Sequence, residues 1–165
     1  MKTSDKVITF SAIFISCLAL VVSIIQTRIL QKQSQAAVWP RIQMITSFGG
    51  DFYELDIVNQ GVGPAIISNI EYSYQDTSFY RILDVITYIA KEDQKSEAIN
   101  LNLGYSEIMQ DRVTKPFESI NIYEALDSTS VRMAFKYFEN IDIKIDYCSI
   151  YERCWRFRND EILEL

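Results

Sequence analysis

The length, composition and charge of this chain already exclude some functions. It has 165 residues, of which 48% are hydrophobic, and that length suits one domain with an appendage. The formal charge of −6 is unevenly divided, with a balance of +3 over residues 1–37 and −9 over residues 38–165. Phosphate backbones repel a domain of that charge, so we expect no nucleic-acid partner.

The first element in chain order is an apolar run near the N-terminus. Val7–Ile25 has no charged residue, no Pro and no Gly, and twelve of its nineteen residues are Val, Ile, Leu or Phe. Nineteen helical residues rise roughly 28 Å, close to the hydrocarbon thickness of about 30 Å. We predict a transmembrane α-helix over residues 7–27, preceded by a short flank of residues 1–6.

A cleaved signal peptide is the main alternative for this run. Its apolar core would be shorter, about 7–15 residues, with a small-residue cleavage site close behind. The one candidate site, Ser34-Gln35-Ala36, lies well beyond the core, and Cys17 in mid-run is a poor lipoprotein site. We therefore expect an uncleaved signal anchor that continues as a helical stalk over residues 28–39, until Pro40 ends the helix.

The soluble part, expected over residues 40–160, begins with two alternating stretches around a turn. Tyr53–Val58 and Ile66–Tyr74 alternate apolar and polar side chains as half-buried strands do. The structural turn between them contains Asn59, Gly61, Gly63 and Pro64. We expect both glycines to supply positive φ there. The turn lacks the Lys and Ser/Thr of a phosphate-binding loop and leads into a strand, so no nucleotide is expected.

The remaining stretches complete the prediction of a mainly β domain. Apolar periodicity predicts an amphipathic helix over Ser78–Glu92 and a second short helix over Thr129–Phe138. Further strands are predicted over Ile99–Leu103 and Ser119–Tyr123, whereas residues 104–117 show no clear pattern. We expect a sandwich-like antiparallel domain of five to seven strands with one or two peripheral helices, followed by a C-terminal tail over residues 161–165.

The clearest pattern is a hairpin near the C-terminus that contains the two cysteines outside the apolar run. One register forms three cross-strand pairs at once: Cys148 with Cys154, Asp146 with Arg156, and Tyr147 with Trp155. A shift of one residue would break all three, because side chains alternate with period two. Directly opposite residues come close enough for a disulfide. We predict a structural disulfide, and two neighbouring reduced thiols are the alternative.

Two short motifs behind a single N-terminal span carry a resemblance. They are Asn59-x-Gly61-x-Gly63-Pro64-Ala65 and Tyr147-Cys148-Ser149-Ile150-Tyr151-Glu152-Arg153-Cys154-Trp155. The chain resembles a group of small uncharacterised bacterial single-pass membrane proteins with a β-rich C-terminal domain. The resemblance covers residues 40–158 loosely and implies a bacterial origin. It brings no activity, cofactor or site residue with it.

The predicted disulfide bears on the compartment of the domain. Disulfides persist in oxidising compartments, so we expect the protein in the bacterial inner (plasma) membrane, with the domain on the periplasmic or extracellular side. The flanking charges do not determine the orientation of the span, because Lys2 and Lys6 precede it while Arg28 and Lys32 follow it.

The sequence contains no recognisable constellation for catalysis or metal binding. It has no His, so Ser-His and Cys-His nucleophiles and histidine metal ligands are excluded. Asp142 and Asp146 fall on the solvent face of a strand, where carboxylates are simply solvated. The spacing of Asp51, Glu54 and Asp56 is not that of a calcium loop. We expect no catalytic residue, no cofactor and no metal.

Three hypotheses for function remain. The favoured one is a membrane-anchored, non-enzymatic interaction module that presents a small acidic β domain to a protein partner at the cell envelope, through a sheet edge or an exposed loop. The second is an accessory or effector subunit of a membrane complex with a cytoplasmic sensing domain. An enzyme is disfavoured. The expected partners are the lipid bilayer, through residues 7–27, and an unidentified protein, with homo-oligomerisation through the span as a further option.

Overall fold

The structure, a computed structural model, describes residues 3–92 and 103–165. The chain divides into two units, Met1–Ala37 and Val38–Leu165. The described residues form three α-helices and ten β-strands: α1 (Thr3–Ala36), β1 (Ile42–Phe48), β2 (Tyr53–Asn59), β3 (Ala65–Tyr74), β4 (Thr77–Phe79), α2 (Ile82–Glu92), β5 (Leu103–Tyr105), β6 (Arg112–Thr114), β7 (Ser119–Ala125), α3 (Ser128–Tyr137), β8 (Ile141–Cys148), β9 (Cys154–Arg158) and β10 (Glu161–Glu164).

The first unit is formed by the single helix α1. It is 34 residues long, and within the described residues it is the one helix long and apolar enough to cross a membrane. The hydroxyls of Ser16 and Thr27 donate to the carbonyls of Ala12 and Ser23 one turn earlier. The helix itself thus satisfies these two polar groups.

The second unit consists of two antiparallel sheets that enclose one core. Sheet A has the strand order β1-β2-β7-β5, and sheet B has the order β10-β9-β8-β3-β4, with β6 also paired to β3. The largest fully buried side chains, which come from both sheets, are Tyr72, Tyr123, Tyr147 and Phe157. The Tyr147 hydroxyl also lies beside the backbone of Ile42, which places β8 next to β1. This architecture confirms the mainly β, sandwich-like domain.

The domain has more strands than the sequence predicted, ten in the described residues instead of five to seven. The additional strands are short: β4, β5 and β6 have three residues each and β10 has four. Alternation cannot be recognised over so few residues. Glu161–Glu164 form β10, where a tail from residue 161 was expected. Of the strand predicted over Ile99–Leu103, residues 99–102 lie outside the described residues.

Helix α2 begins later than predicted. The periodicity placed its start at Ser78, but Thr77–Phe79 pair with β3 as strand β4, so the helix starts at Ile82. Its buried side chains include Ile82, Val85 and Ile89. Apolar spacing alone did not distinguish the strand from the first turn of the helix.

Helix α3 is capped by Asp127, whose Oδ1 accepts hydrogen bonds from the N–H groups of Thr129 and Ser130, both at 3.0 Å. Such a cap satisfies backbone donors that have no partner inside the helix. Phe135 of this helix packs edge-on against Phe48, with ring centroids 5.3 Å apart. Helix α3 therefore supports the far end of β1.

The β8–β9 hairpin has the register derived from the sequence. Three cross-strand pairs define it: Cys148 with Cys154, Asp146 with Arg156, and Tyr147 with Trp155. A disulfide joins the two cysteines, and the Tyr147 and Trp155 rings stack with centroids 5.8 Å apart. A covalent bond and an aromatic pair thus fix the hairpin beside the core.

Candidate interaction surface

The predicted turn residues form a buried polar cluster where the chain enters the domain. Asn59 has no solvent exposure (0%). Its Oδ1 accepts from the N–H groups of Arg41 and Gly61, at 3.2 and 3.0 Å. Its Nδ2 donates to three carbonyls, those of Gly63, Thr114 and Lys115. One amide side chain therefore joins three segments that are distant in sequence.

Gly61 and Gly63 are required by close packing. Neither glycine has a positive φ, so the expectation that they supply positive φ is wrong. A Cβ on Gly61 would lie 2.4 Å from the Trp39 carbonyl oxygen, and one on Gly63 would lie 1.9 Å from that of Val38. The segment Val38–Arg41, which we call the proximal strap, thus lies directly on the turn. These residues hold the fold and leave no room for a ligand.

The outer edge of sheet A is the feature most open to a partner. Strand β1 lies at this edge, and its seven residues, Ile42–Phe48, include no charge and no proline. Among the described strands, the other edge strands have only three or four residues. Short length, charge and proline are the usual protections of an edge strand, and β1 has none of them.

The pairing of β1 with β2 shows which of its backbone groups face outward. The Gln60 N–H donates to the Arg41 carbonyl at 2.7 Å, and the Gly49 N–H donates to the Phe52 carbonyl at 2.9 Å. Since inward and outward groups alternate in an antiparallel pair, the odd-numbered residues of β1 bond to β2. The even-numbered residues therefore direct their N–H and C=O groups away from the sheet.

Three of the even-numbered residues of β1 have backbone groups available for pairing at the sheet edge. At Ile42 the Tyr147 hydroxyl lies beside the backbone. The backbone groups of Met44, Thr46 and Phe48 have no hydrogen-bond partner within residues 3–92 and 103–165. Their spacing of two residues is the spacing at which a further strand would pair.

The outward face of sheet A beside this edge is acidic. Glu54 and Asp56 on β2 and Glu124 on β7 occupy it, and the outward positions of β1, β2 and β7 include no basic residue. Asn121 Nδ2 donates to Glu54 Oε1 at 2.9 Å and to Asp56 Oδ1 at 3.0 Å. Glu54 and Glu124 lie directly opposite each other. Opposed like charges destabilise a sheet, so the stability of the fold does not account for this pair.

Sheet B, in contrast, neutralises its own outward face. Three cross-strand ion pairs do so: Glu71 with Lys144, Asp146 with Arg156, and Asp142 with Arg158. The hydrogen bond from Lys144 holds the pKa of Glu71 below its ordinary value. A hydrogen bond to Asp146 likewise raises the pKa of Arg156. The three outward carboxylates of sheet A have no such ion-pair partner among the described residues.

A cavity and the acidic side chains are less suited than this edge to hold a ligand. A cavity of about 310 Å³ lies beside β3 and the loop before β6, and its lining includes Ile67, Asn69, Tyr80 and Met109. That lining has no carboxylate, ammonium or thiol group to act on a substrate. Over the described residues, no group of three or more Cys, Asp or Glu is placed to hold a metal ion.

Comparison with known proteins returned no match to any protein-family model, curated protein or solved structure. The candidate surface therefore follows from the geometry of this chain. Sequence reasoning anticipated a sheet edge in general but missed β1. The signal present was a proline-free and uncharged stretch between Arg41 and Asp51, whose alternation is too weak to predict a strand.

Proposed function

We propose that this protein is a membrane-anchored, non-enzymatic interaction module that binds an extended segment of a protein partner along β1. Helix α1 anchors the chain in the bilayer, and the acidic β domain carries the binding edge. One observation carries the proposal: an unprotected seven-residue edge strand lies beside carboxylates that no basic side chain of residues 3–92 and 103–165 neutralises.

Binding adds one strand to sheet A. The partner's backbone pairs with the outward N–H and C=O groups of Met44, Thr46 and Phe48, which supplies affinity without regard to sequence. Glu54 and Asp56 lie one strand further in, roughly 10 Å from the added strand. Lysine and arginine side chains are long enough to approach them. The favoured ligand is therefore an extended segment in which basic and apolar residues alternate.

A short peptide of alternating lysine and valine tests this mode on the full chain in nanodiscs. Thr46→Pro removes one outward N–H and leaves the pairing with β2 intact, so we expect it to weaken peptide binding about tenfold or more, or roughly 1.4 kcal/mol. Thr46→Ala, which keeps the N–H, should bind normally. Titration calorimetry measures both affinities.

Charge is tested separately with the same peptide. The double substitution Glu54→Gln and Asp56→Asn should weaken binding and reduce its dependence on salt. Glu161→Gln, on the last strand of sheet B, is the control and should change neither. Equal affinity for a peptide of alternating glutamate and valine would argue against the proposed ligand class.

We further propose that the domain faces the outside of a bacterial plasma membrane. The support is the Cys148–Cys154 disulfide, because such bonds persist in oxidising compartments. The second hypothesis, an accessory or effector subunit with a cytoplasmic sensing domain, requires the opposite placement.

Maleimide labelling of intact cells separates the two placements, with Cys17→Ser used to remove the thiol within α1. For an outside domain, Cys148 and Cys154 should resist an impermeant maleimide until they are reduced, and should then react with it. Labelling without reductant, and only after permeabilisation, would place the domain in the cytoplasm with free thiols. That outcome would favour the accessory-subunit hypothesis.

A further inference from the structure

Three loops lie together at the end of the domain where the chain enters. Ala65 pairs with Thr114, and Ile66 pairs with Cys148. The loops over residues 60–64, 115–118 and 149–153 therefore share one end of the sandwich. The proximal strap lies on the first of them. We call this region the proximal end.

Each loop of the proximal end exposes an apolar side chain. These are Val62, Phe117 and Ile150, with Phe117 the most exposed at 73%, and the strap adds Trp39. Single exposed apolar side chains are ordinary on a protein surface. Here all four segments that meet at one end of the domain expose an apolar side chain. Such a cluster is typical of a surface that binds an apolar partner.

Phe117 is also held in a strained conformation. Its φ is 61°, in the left-handed region that bulky side chains rarely adopt. Its N–H donates to the Asn59 carbonyl at 2.7 Å, which fixes the loop in this shape. Glycine would fit this backbone with less strain. Strain of this kind concentrates at functional positions, and here it displays an aromatic ring to the surroundings.

The proximal end is not acidic, unlike the rest of the domain. The strap and the three loops carry three basic and two acidic residues, a balance of +1, against −9 for residues 38–165. Arg41 and Lys115 are exposed and form no ion pair within the described residues. Lipid phosphates would attract these two side chains, whereas the acidic remainder of the domain would be repelled.

The length of α1 limits how far from the headgroups the chain can leave the helix. A helix of 34 residues rises roughly 51 Å, and a bilayer with its headgroups is about 40–45 Å thick. A helix that begins at one interface thus ends within about 10 Å of the opposite headgroups, or nearer when it tilts. Val38 follows it directly, with no long linker.

We propose that the proximal end docks onto the surface of the bilayer that holds α1, with Val62, Phe117 and Ile150 among the headgroups and upper acyl chains. Trp39 of the proximal strap adds an exposed indole ring to this surface. Arg41 and Lys115 lie near lipid phosphates. This inference rests on the anchoring part of the proposed function and is independent of strand addition at β1.

The test uses the full chain with Cys17→Ser, one copy per nanodisc, in bilayers with brominated acyl chains. An environment-sensitive fluorophore is attached at Phe117→Cys and, as the matched control, at Phe52→Cys in the β1–β2 turn at the opposite end. We expect about twofold or stronger quenching at residue 117 and little at residue 52. Equal quenching at both positions would overturn the docking. So would a fluorescence shift that needs several copies per disc, because another protomer would then cover this end.

A second variant separates docking from folding. Phe117→Gly relieves the left-handed strain, so its unfolding midpoint should equal or exceed that of the parent. A fluorophore at Ile150→Cys should nevertheless lose most of its quenching. Unchanged quenching would overturn the role of Phe117. Flotation after alkaline extraction tests α1 alone: release from the membrane refutes the anchor, whereas a retained but unquenched chain refutes only the docking.

Discussion

Gly63→Ala is expected to lower the free energy of unfolding by about 3 kcal/mol or more. The new methyl group would lie 1.9 Å from the carbonyl oxygen of Val38, far inside van der Waals contact. The neighbour is backbone, so no side chain can rotate away. Either the proximal strap leaves the turn or the turn opens.

Gly50→Ala is the matched control, because a Cβ there meets no atom within 4 Å. It should change stability by less than about 0.5 kcal/mol. Chemical denaturation, followed through near-UV circular dichroism of the buried aromatic residues, compares the two variants. Similar midpoints for both would show that the strap does not lie on Gly63 in solution.

Asn59→Ala should destabilise the domain by roughly 3–5 kcal/mol, because each buried group left without a partner costs about 1–3 kcal/mol and such effects add incompletely. The Asn59 Oδ1 accepts two hydrogen bonds, and the two N–H bonds of Nδ2 are directed at three carbonyl oxygens, so that one of them is shared. Removal of the side chain leaves Arg41, Gly61 and the three carbonyl groups without these bonds. It also leaves a buried cavity.

Two further variants test whether the loss of stability comes from the buried hydrogen bonds of Asn59. Asn121→Ala removes hydrogen bonds to Glu54 and Asp56 on the outward face of sheet A, where water can replace them, and should cost less than about 1 kcal/mol. Asn59→Asp keeps the acceptor but turns a carboxylate toward three carbonyl oxygens. It should be at least as damaging as the alanine variant. Equal losses from Asn59→Ala and Asn121→Ala would contradict the buried cluster.

The C-terminal hairpin shows what the sequence could establish. Its two strands are close in the chain, so the pairs Cys148 with Cys154 and Asp146 with Arg156 follow from a single alternation. The turn after Asn59 shows the limit of that approach. Its glycines were recognised, but the reason assigned to them was wrong, because the constraint is a contact with the strap 22 to 25 residues earlier in the chain. Local patterns reveal residue types and not their distant neighbours.

The candidate surface was harder to predict for a related reason. An edge strand is defined by the absence of a neighbour, and that absence is a property of the whole sheet. Ile42–Phe48 has no alternation strong enough to show a strand. The opposed Glu54 and Glu124 lie on strands far apart in the chain. Only the assembled sheet brings the unpaired edge and the uncompensated carboxylates together.

The direct connection between the proximal strap and β1 has a mechanical consequence. A pull between the membrane and a partner bound along β1 acts nearly along the axis of that strand. The hydrogen bonds that Met44, Thr46 and Phe48 would form with the added strand are then loaded in shear and share the force, whereas unzipping would break them singly. The hydrogen bond from the Arg41 N–H to Asn59 Oδ1 also holds the end of the strap on the domain under this load. The proposed tether is therefore built to resist tension.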